Sequence, residues 1–453
     1  GLLIRSWTWT GSAWEASSKT TPQAGNYIYW TRLAADPNSD DMIVAFSTSG
    51  NDLKTVDWTG SAWGTTVQLV HSNLYGSYLN NQPWDVMFET ASGHEGHAIV
   101  VYNGYAVNYR HTSDITGAWG SETTLDSADD MYWIELAREE DGTIRAAGME
   151  YYQTTYCWLV MYSWNNTSWT DHGSIENYMI KDSSATYRPF DITAYFPLPE
   201  KSPPAPLVVY TEDSVSYDDI IRYQTFDGAD WSTEATAHDT NDTGFLKWHV
   251  ATTSADGDEQ AVAAVGAGAN TLYVDTKEGA SWTTNNLGAI YSATYRCFNV
   301  AYEQDSNQLL IVASDGTATN QIKYWVWDKS TGTFVVNGLT HTLSTVNNYV
   351  TWIEMASRPD SNQIALMAVD LDADAVALIW NGDTNSWGNE KKLNSSALNS
   401  TTEKQIAVSY MLSGNYRNRA VFAWAETNDV YSWTWSGAAW APSNTSATDA
   451  AVS

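Results

Sequence analysis

Short apolar runs recur along the chain at regular intervals, each closed off by a polar turn. MIVAF, HAIVVYN, TIRAAGM, PLVVYTE, QAVAAVG, QLLIVAS, QIALMAV and RAVFAWA are the most regular. Near-continuous apolar runs of this length suit strands covered on both faces. Ahead of each run lies another strand, led in most copies by an aromatic: YWTRLA, PWDVMF, YWIELA, PFDITA, KWHVAT, CFNVAY and TWIEMA. The last copy, QIAVSY, lacks that aromatic. Polar turns such as DPNSDD, REEDG, SADGDE, EQDSN and RPDSN separate the two strands.

After each apolar run comes a hairpin, and these hairpins repeat nearly the same residues. SWTWTGSAW (Ser6 to Trp14) opens the chain and SWTWSGAAW (Ser432 to Trp440) ends the series. The closing aromatics are Trp14, Trp63, Trp119, Trp169, Trp231, Trp282, Phe334, Trp387 and Trp440, at steps of 49, 56, 50, 62, 51, 52, 53 and 53 residues. Gly, Asn and Asp at the turns supply the positive φ that tight hairpins require. The long step carries PLPEKSPPAP (Pro197 to Pro206), which reads as a stiffened loop between the first two strands of a repeat. A period near fifty residues with four strands per repeat, A to D, predicts an all-β fold. It is a single β-propeller of four-stranded antiparallel blades, eight in number, with seven or nine as the alternatives.

Residues 18–442 form the propeller in this reading, residues 1–17 an extra C–D hairpin, and residues 443–453 a polar tail. Eight complete sets can close a ring without the extra hairpin, whose Trp7, Trp9 and Trp14 call for a docking surface. Three accounts stay open: the hairpin packs on its own ring, the chain belongs to a longer array, or the hairpin completes a sheet in a neighbouring molecule. A recurring closing aromatic is itself a packing residue expected between adjacent blades.

Charge narrows the partners. Among 453 residues, 53 Asp and Glu face 22 Lys and Arg, a net charge of -31, and this repels phosphate backbones and anionic lipid. The apolar runs are too short for a transmembrane helix. Gly1 to Ser6 has neither a basic nor an apolar leader region, so the sequence reads as a mature form, a trimmed piece or a cytosolic protein. Cys157 and Cys297 fall in distant repeats and read as two buried small hydrophobes rather than a disulfide. Sequons at Asn165, Asn166, Asn241, Asn394, Asn399 and Asn444 permit N-glycosylation and an extracellular or cell-surface location.

Candidate chemistry lies in three places. The A strand is innermost in propellers, so Arg32, Asp85, Glu135, Asp191, His249, Asn299 and Glu354, just behind its leading residue, are candidates to bind a small ligand at the channel mouth. DLDADA sets Asp370, Asp372 and Asp374 at alternate positions and could supply three oxygen ligands to calcium, the one cofactor considered. HEGH (His94 to His97) reads as a plain A–B turn, its spacing unlike a helical zinc motif. No carboxylate pair is singled out for glycoside cleavage, and there is no nucleophile elbow, P-loop or Rossmann fingerprint.

At its WTGSAW-type hairpins the chain resembles the bacterial-neuraminidase-repeat (Asp-box) and the tectonin or fucose-lectin groups of β-propellers. TSDITGAW (Thr112 to Trp119) and WDKSTGTF (Trp327 to Phe334) echo the Asp box. The resemblance implies a propeller fold but carries over no site residue. The expected function is a non-catalytic binding or adhesion module with glycan as ligand. The alternatives are a structural subunit polymerising head to tail through its terminal hairpins and a polysaccharide-cleaving enzyme.

Overall fold

The computed structural model describes residues 3–6, 19–23, 28–59, 64, 66–75, 81–127, 131–139, 141–151, 156–180, 187–193, 205–212, 219–394, 398, 404–411, 418–426 and 429–440. Among these there is no helix, and 33 strands, numbered β1 to β33 in chain order, fall into eight sheets. Among these residues, therefore, no helix is long and apolar enough to cross a membrane.

Seven sheets are four consecutive antiparallel strands. The first comprises β3 (Ile28–Ala35), β4 (Asp41–Thr48), β5 (Leu53–Thr59) and β6 (Gln68–His71). The apolar runs form the second strand of each blade and lie between neighbouring blades; β20 (Glu259–Gly266) and β24 (Leu309–Ser314) are buried at every position. The outermost strands mix half-buried and exposed positions, as in β22 (Ser281–Ala289). The two patterns follow from burial on two faces against burial on one.

The innermost strands are β3, β7 (Trp84–Phe88), β11 (Met131–Arg138), β15 (Phe190–Thr193), β19 (Leu246–Thr253), β23 (Phe298–Tyr302), β27 (Val350–Ser357) and β31 (Ile406–Tyr410). Each touches the next, and β31 returns to β3, so eight blades close a ring. The eighth blade has five strands: β31, β32 (Ala420–Glu426), β33 (Asp429–Trp435), β1 (Leu3–Ser6) and β2 (Lys19–Gln23). β1 joins β33 in parallel, with Leu3 opposite Asp429 and Ile4 opposite Val430. The first and last strands of the described residues thus meet in one sheet. Trp7, Trp9 and Trp14, residues 443–453 and PLPEKSPPAP up to Pro204 lie outside the described residues.

Several of the described hairpin aromatics reach across the seams between blades. Trp169 meets Tyr109 of the preceding blade at 6.0 Å, Trp282 meets Tyr223 at 5.1 Å, and Trp387 meets Tyr324 at 5.9 Å, all near edge-on. The Trp119 indole N–H donates to Thr55 Oγ1 of the preceding blade at 2.8 Å, and that of Trp440 donates to the Asn389 carbonyl. Cys157 and Cys297 are both buried, and no disulfide joins them.

Candidate functional site at the central channel

Blades alternate in what they send to the channel. The first, third, fifth and seventh send Trp30, Trp133, Trp248 and Trp352, each 2–3% exposed. The four indoles form a closed pinwheel. Trp30 meets Trp133 at 5.2 Å and 87°, Trp133 meets Trp248 at 6.0 Å and 81°, Trp248 meets Trp352 at 5.7 Å and 79°, and Trp352 returns to Trp30 at 6.0 Å and 74°. Edge-to-face packing sets the positive rim of one ring on the negative face of the next, worth roughly 0.5–1.5 kcal/mol per pair beyond simple burial.

Two residues beyond the tryptophans, the odd blades carry Arg32, Glu135 and Glu354. Two residues before their own leading residue, the even blades carry Gln82, Arg188, Arg296 and Lys404. Together with the tryptophans these line one small cavity of about 50 Å³. The backbone sets the interleaving: the amides of Ile134, His249 and Ile353 donate to the carbonyls of Gln82, Arg188 and Arg296 at 3.2, 3.2 and 3.3 Å.

The charges answer one another. Arg32 pairs with Asp85 at 3.0 Å and Glu135 at 3.4 Å, while Arg188 pairs with Glu135 and, at 3.4 Å, with Asp191. Glu354 takes Arg296 at 2.5 Å, Lys404 at 3.3 Å and the Trp352 indole at 2.8 Å. Burial alone would raise the Glu354 carboxyl, but Lys404 and Arg296 override it and hold it at about 2. Burial likewise opposes the Glu135 charge, and Arg188, Arg32 and Lys404 bring its pKa below the ordinary value. Burial lowers Lys404, with Glu354 pulling the other way.

Six of the seven positions expected at the channel mouth divide into two sets. Arg32, Glu135 and Glu354 reach the channel. Asp85, Asp191 and Asn299 act as clamps between blades. Asp85 accepts the Leu136 amide at 2.9 Å, Asp191 accepts the Ala251 amide at 2.8 Å, and Asn299 donates to the Ile353 carbonyl at 3.1 Å. Burial raises both aspartates, Asp85 to about 6. His249 is fully buried with Nε2 3.0 Å from Thr211 Oγ1, and desolvation, helped by Arg188, lowers it to about 3. Arg188, Arg296, Lys404 and Gln82 complete the cluster without having been singled out by sequence. Their signal was position: in NQPWDV, YRPFDI, YRCFNV and EKQIAV each stands two residues before the leading residue of an even A strand.

Half-buried tyrosines stand where the innermost strands begin. Tyr29 and Tyr132 precede Trp30 and Trp133; Tyr187 and Tyr295 precede Arg188 and Arg296. Tyr291 stacks on Tyr349 at 4.1 Å and on Tyr295 at 6.0 Å. Lys247 Nζ sits 4.1 Å above the Tyr187 ring and donates to a tyrosine hydroxyl, that of Tyr187, at 3.0 Å. Tyr29, Tyr132, Tyr187, Tyr291 and Tyr295 pack against the core, and Tyr187 meets Trp248 of the pinwheel at 5.8 Å.

The other expected sites are elsewhere. Asp370 is buried, with Oδ1 accepting the amides of Asp372 at 3.0 Å and Asp374 at 2.9 Å. Asp374 pairs with Lys392 at 2.7 Å, and Asp372 accepts the Asn348 side-chain amide at 3.2 Å, so all three carboxylates hold protein partners. Asn165 and Asn241 are exposed and Asn166 is half-buried. Asn394 is buried, its amide bonded to the backbone of Ala375 and Ala373 at 2.8 Å each. Asn399 and Asn444 lie outside the described residues. Two groups of potential metal ligands do converge: Glu176, Glu212 and Glu234, and, around the HEGH turn, Glu89, His94, His97 and His111.

No family model matches the sequence, and no curated protein matches it. Solved structures do. The BP39L lectin from Burkholderia pseudomallei is 13% identical, covering 81% of this chain and 100% of its own, with a TM-score of 0.53. The Dos1 propeller is 12% identical over 93% of both chains, TM-score 0.54. The WD40 domain of SCAP from fission yeast is 10% identical over 91% of this chain and 96% of its own, TM-score 0.50. The fold is a β-propeller. Identity this low speaks to architecture alone, and all three neighbours share it.

Proposed function

We propose that this propeller is a non-catalytic binding module whose ligand is a glycan, held at the channel mouth, and that it works outside the cell or on its surface. The observation that carries the reading is the set of cationic and carboxylate groups, Arg32, Glu135, Arg188, Arg296, Glu354 and Lys404, gathered with the four tryptophans around one cavity. Aromatic faces stack on the C–H faces of sugars, and planar charged groups exchange hydrogen bonds with their hydroxyls. The 50 Å³ cavity holds a water or two rather than a sugar ring. The ligand therefore rests outside the cavity, against Arg32, whose side chain is 26% exposed. One solved structure of the same architecture, BP39L, is a lectin.

The pinwheel supplies the test. Four coupled tryptophans under the mouth make intrinsic fluorescence sensitive to anything that settles there. Titration across neutral and acidic oligosaccharides is expected to give a saturable shift for a subset, weakened in Arg32→Gln. Flat titrations across the whole panel would overturn the reading. Release of reducing ends from any of these substrates would overturn its non-catalytic part.

A further inference from the structure

The second blade carries a group of side chains that ring closure does not explain. The loop from β7 to β8 (Ala98–Asn103) is ETASGHEGH, and its two glycines, Gly93 and Gly96, take φ of 86° and 79°. Glycine adopts that left-handed geometry at no steric cost. The double turn is closed by the amides of His94 and His97 on the carbonyls of Ala91 and His94 at 2.9 and 3.0 Å, and by the Glu89 amide on the His97 carbonyl at 2.9 Å. It folds both imidazoles over Glu89, where His111 from β9 (Val107–Thr112) joins them.

Glu89 itself has a structural explanation. Its Oε1 accepts the indole N–H of Trp164 on the next blade, as Glu303 Oε1 accepts that of Trp380 at 2.7 Å in the equivalent place. Glu303's other oxygen is taken by Ser306, whereas Glu89 Oε2 faces histidines: three of the chain's eight stand around this one carboxylate. His94 Nδ1 lies 2.8 Å and His97 Nδ1 3.6 Å from Oε2, and His111 Nε2 lies 3.4 Å from Oε1. His97 Nδ1 and His111 Nε2 are buried atoms that make no hydrogen bond. The imidazoles crowd edge to face, His94 to His97 at 4.8 Å and His97 to His111 at 5.2 Å. All four donor atoms lie within 4.8 Å of one another.

We infer that Glu89, His94, His97 and His111 form a binding site for a divalent transition metal of the zinc class. A tetrahedral ion with ligands at about 2.0–2.1 Å sets its donors about 3.3–3.4 Å apart, and the observed separations bracket that value. Three imidazoles and one carboxylate, with no further oxygen ligands, select zinc, cobalt, nickel or copper over calcium or magnesium. The set has four protein donors and so leaves no position for substrate; the ion is structural. It ties the A–B turn of the second blade to its third strand, and through Glu89 and Trp164 to the third blade.

Chelator-treated protein titrated with Co²⁺ alone is expected to take up one ion per chain with the intense visible absorption of a tetrahedral site, and Zn²⁺ should displace it and raise Tm. His97→Ala and His111→Ala are expected to weaken binding by roughly 100-fold or more, since even partners outside the ligand set cost about 10–100-fold. His341→Ala, far from the cluster, should bind as the parent does. No saturable binding by the parent, or equal binding by the two cluster variants, would overturn the site. X-ray absorption of zinc-loaded parent protein reads the ligands without any variant: three imidazoles support the assignment, and one or none refutes it.

Discussion

The carboxylate of Asp85 ties three blades together. From the second blade it accepts the Leu136 amide of the third at 2.9 Å and meets Arg32 of the first at 3.0 Å, with no exposed surface of its own. Removing one member of a buried pair leaves the other charge uncompensated, at a cost of about 3–5 kcal/mol. Asp85→Ala is therefore expected to lose about that much in urea unfolding. Asp85→Asn keeps an oxygen for the Leu136 amide and should lose less. Equal losses would mean that the ion pair, and not the amide bond, dominates.

Asn299 occupies the matching place on the sixth blade with reversed polarity, donating to the Ile353 carbonyl where the aspartates accept amides. Asn299→Asp sets an anion against that carbonyl. The folded state should then favour the protonated carboxyl, raising its pKa above the unfolded value. The variant is expected to be near parental stability at pH 4 and to fall behind as pH rises to 7, by about 1–3 kcal/mol. A pH-independent deficit would contradict the donor assignment.

Acid should destabilise the protein partly through His249. Its folded pKa of about 3 lies below the unfolded value near ~6.5. The unfolded chain takes up a proton in that window and the folded chain does not, so the contribution is complete above about pH 6.5 and is lost as pH falls toward 3. Glu354, held at about 2, loses its contribution in the same direction from about pH 4.5 downward. Asp85 runs oppositely: its raised pKa makes ionisation costly, and that cost is relieved as pH falls from about 6 toward 4. The stability gap between the parent and His249→Leu isolates the histidine. It should shrink by about 1.4 kcal/mol per pH unit below pH 6.5, and a constant gap would exclude His249 as the titrating group.

Deleting residues 1–23 removes β1 and β2 from the eighth blade and leaves the β33 edge without its parallel partner. An unpaired edge strand is a template for association. The truncated chain is expected to melt lower and to show concentration-dependent mass by light scattering. If truncation changes neither, β1 does not protect that edge.

The repeat was legible because each blade writes its strands locally. The apolar run, the leading aromatic and the Gly/Asn/Asp turn lie within fifty-odd residues of one another, and burial on two faces forces that pattern in every copy. The pinwheel was half legible, since the tryptophans stand out in YWTRLA, YWIELA, KWHVAT and TWIEMA. Their alternation with PWDVMF, PFDITA and CFNVAY becomes meaningful only when the ring sets odd blades against even ones.

The sequence by itself determined the strands and their period, because those follow from burial within each repeat; it left seven or nine blades open beside eight, and the contacts that close the ring fixed the count. Tertiary structure alone decided which polar residues meet. Arg188 finds Glu135 across 53 positions, Glu89 finds Trp164 across 75, and β1 finds β33 across nearly the whole chain. It also turned Asp85, Asp191 and Asn299 from channel candidates into clamps, and brought HEGH to His111. Closing a ring fixes contacts between residues one or two blades apart, and no periodicity within a single blade encodes which side chains will then face each other.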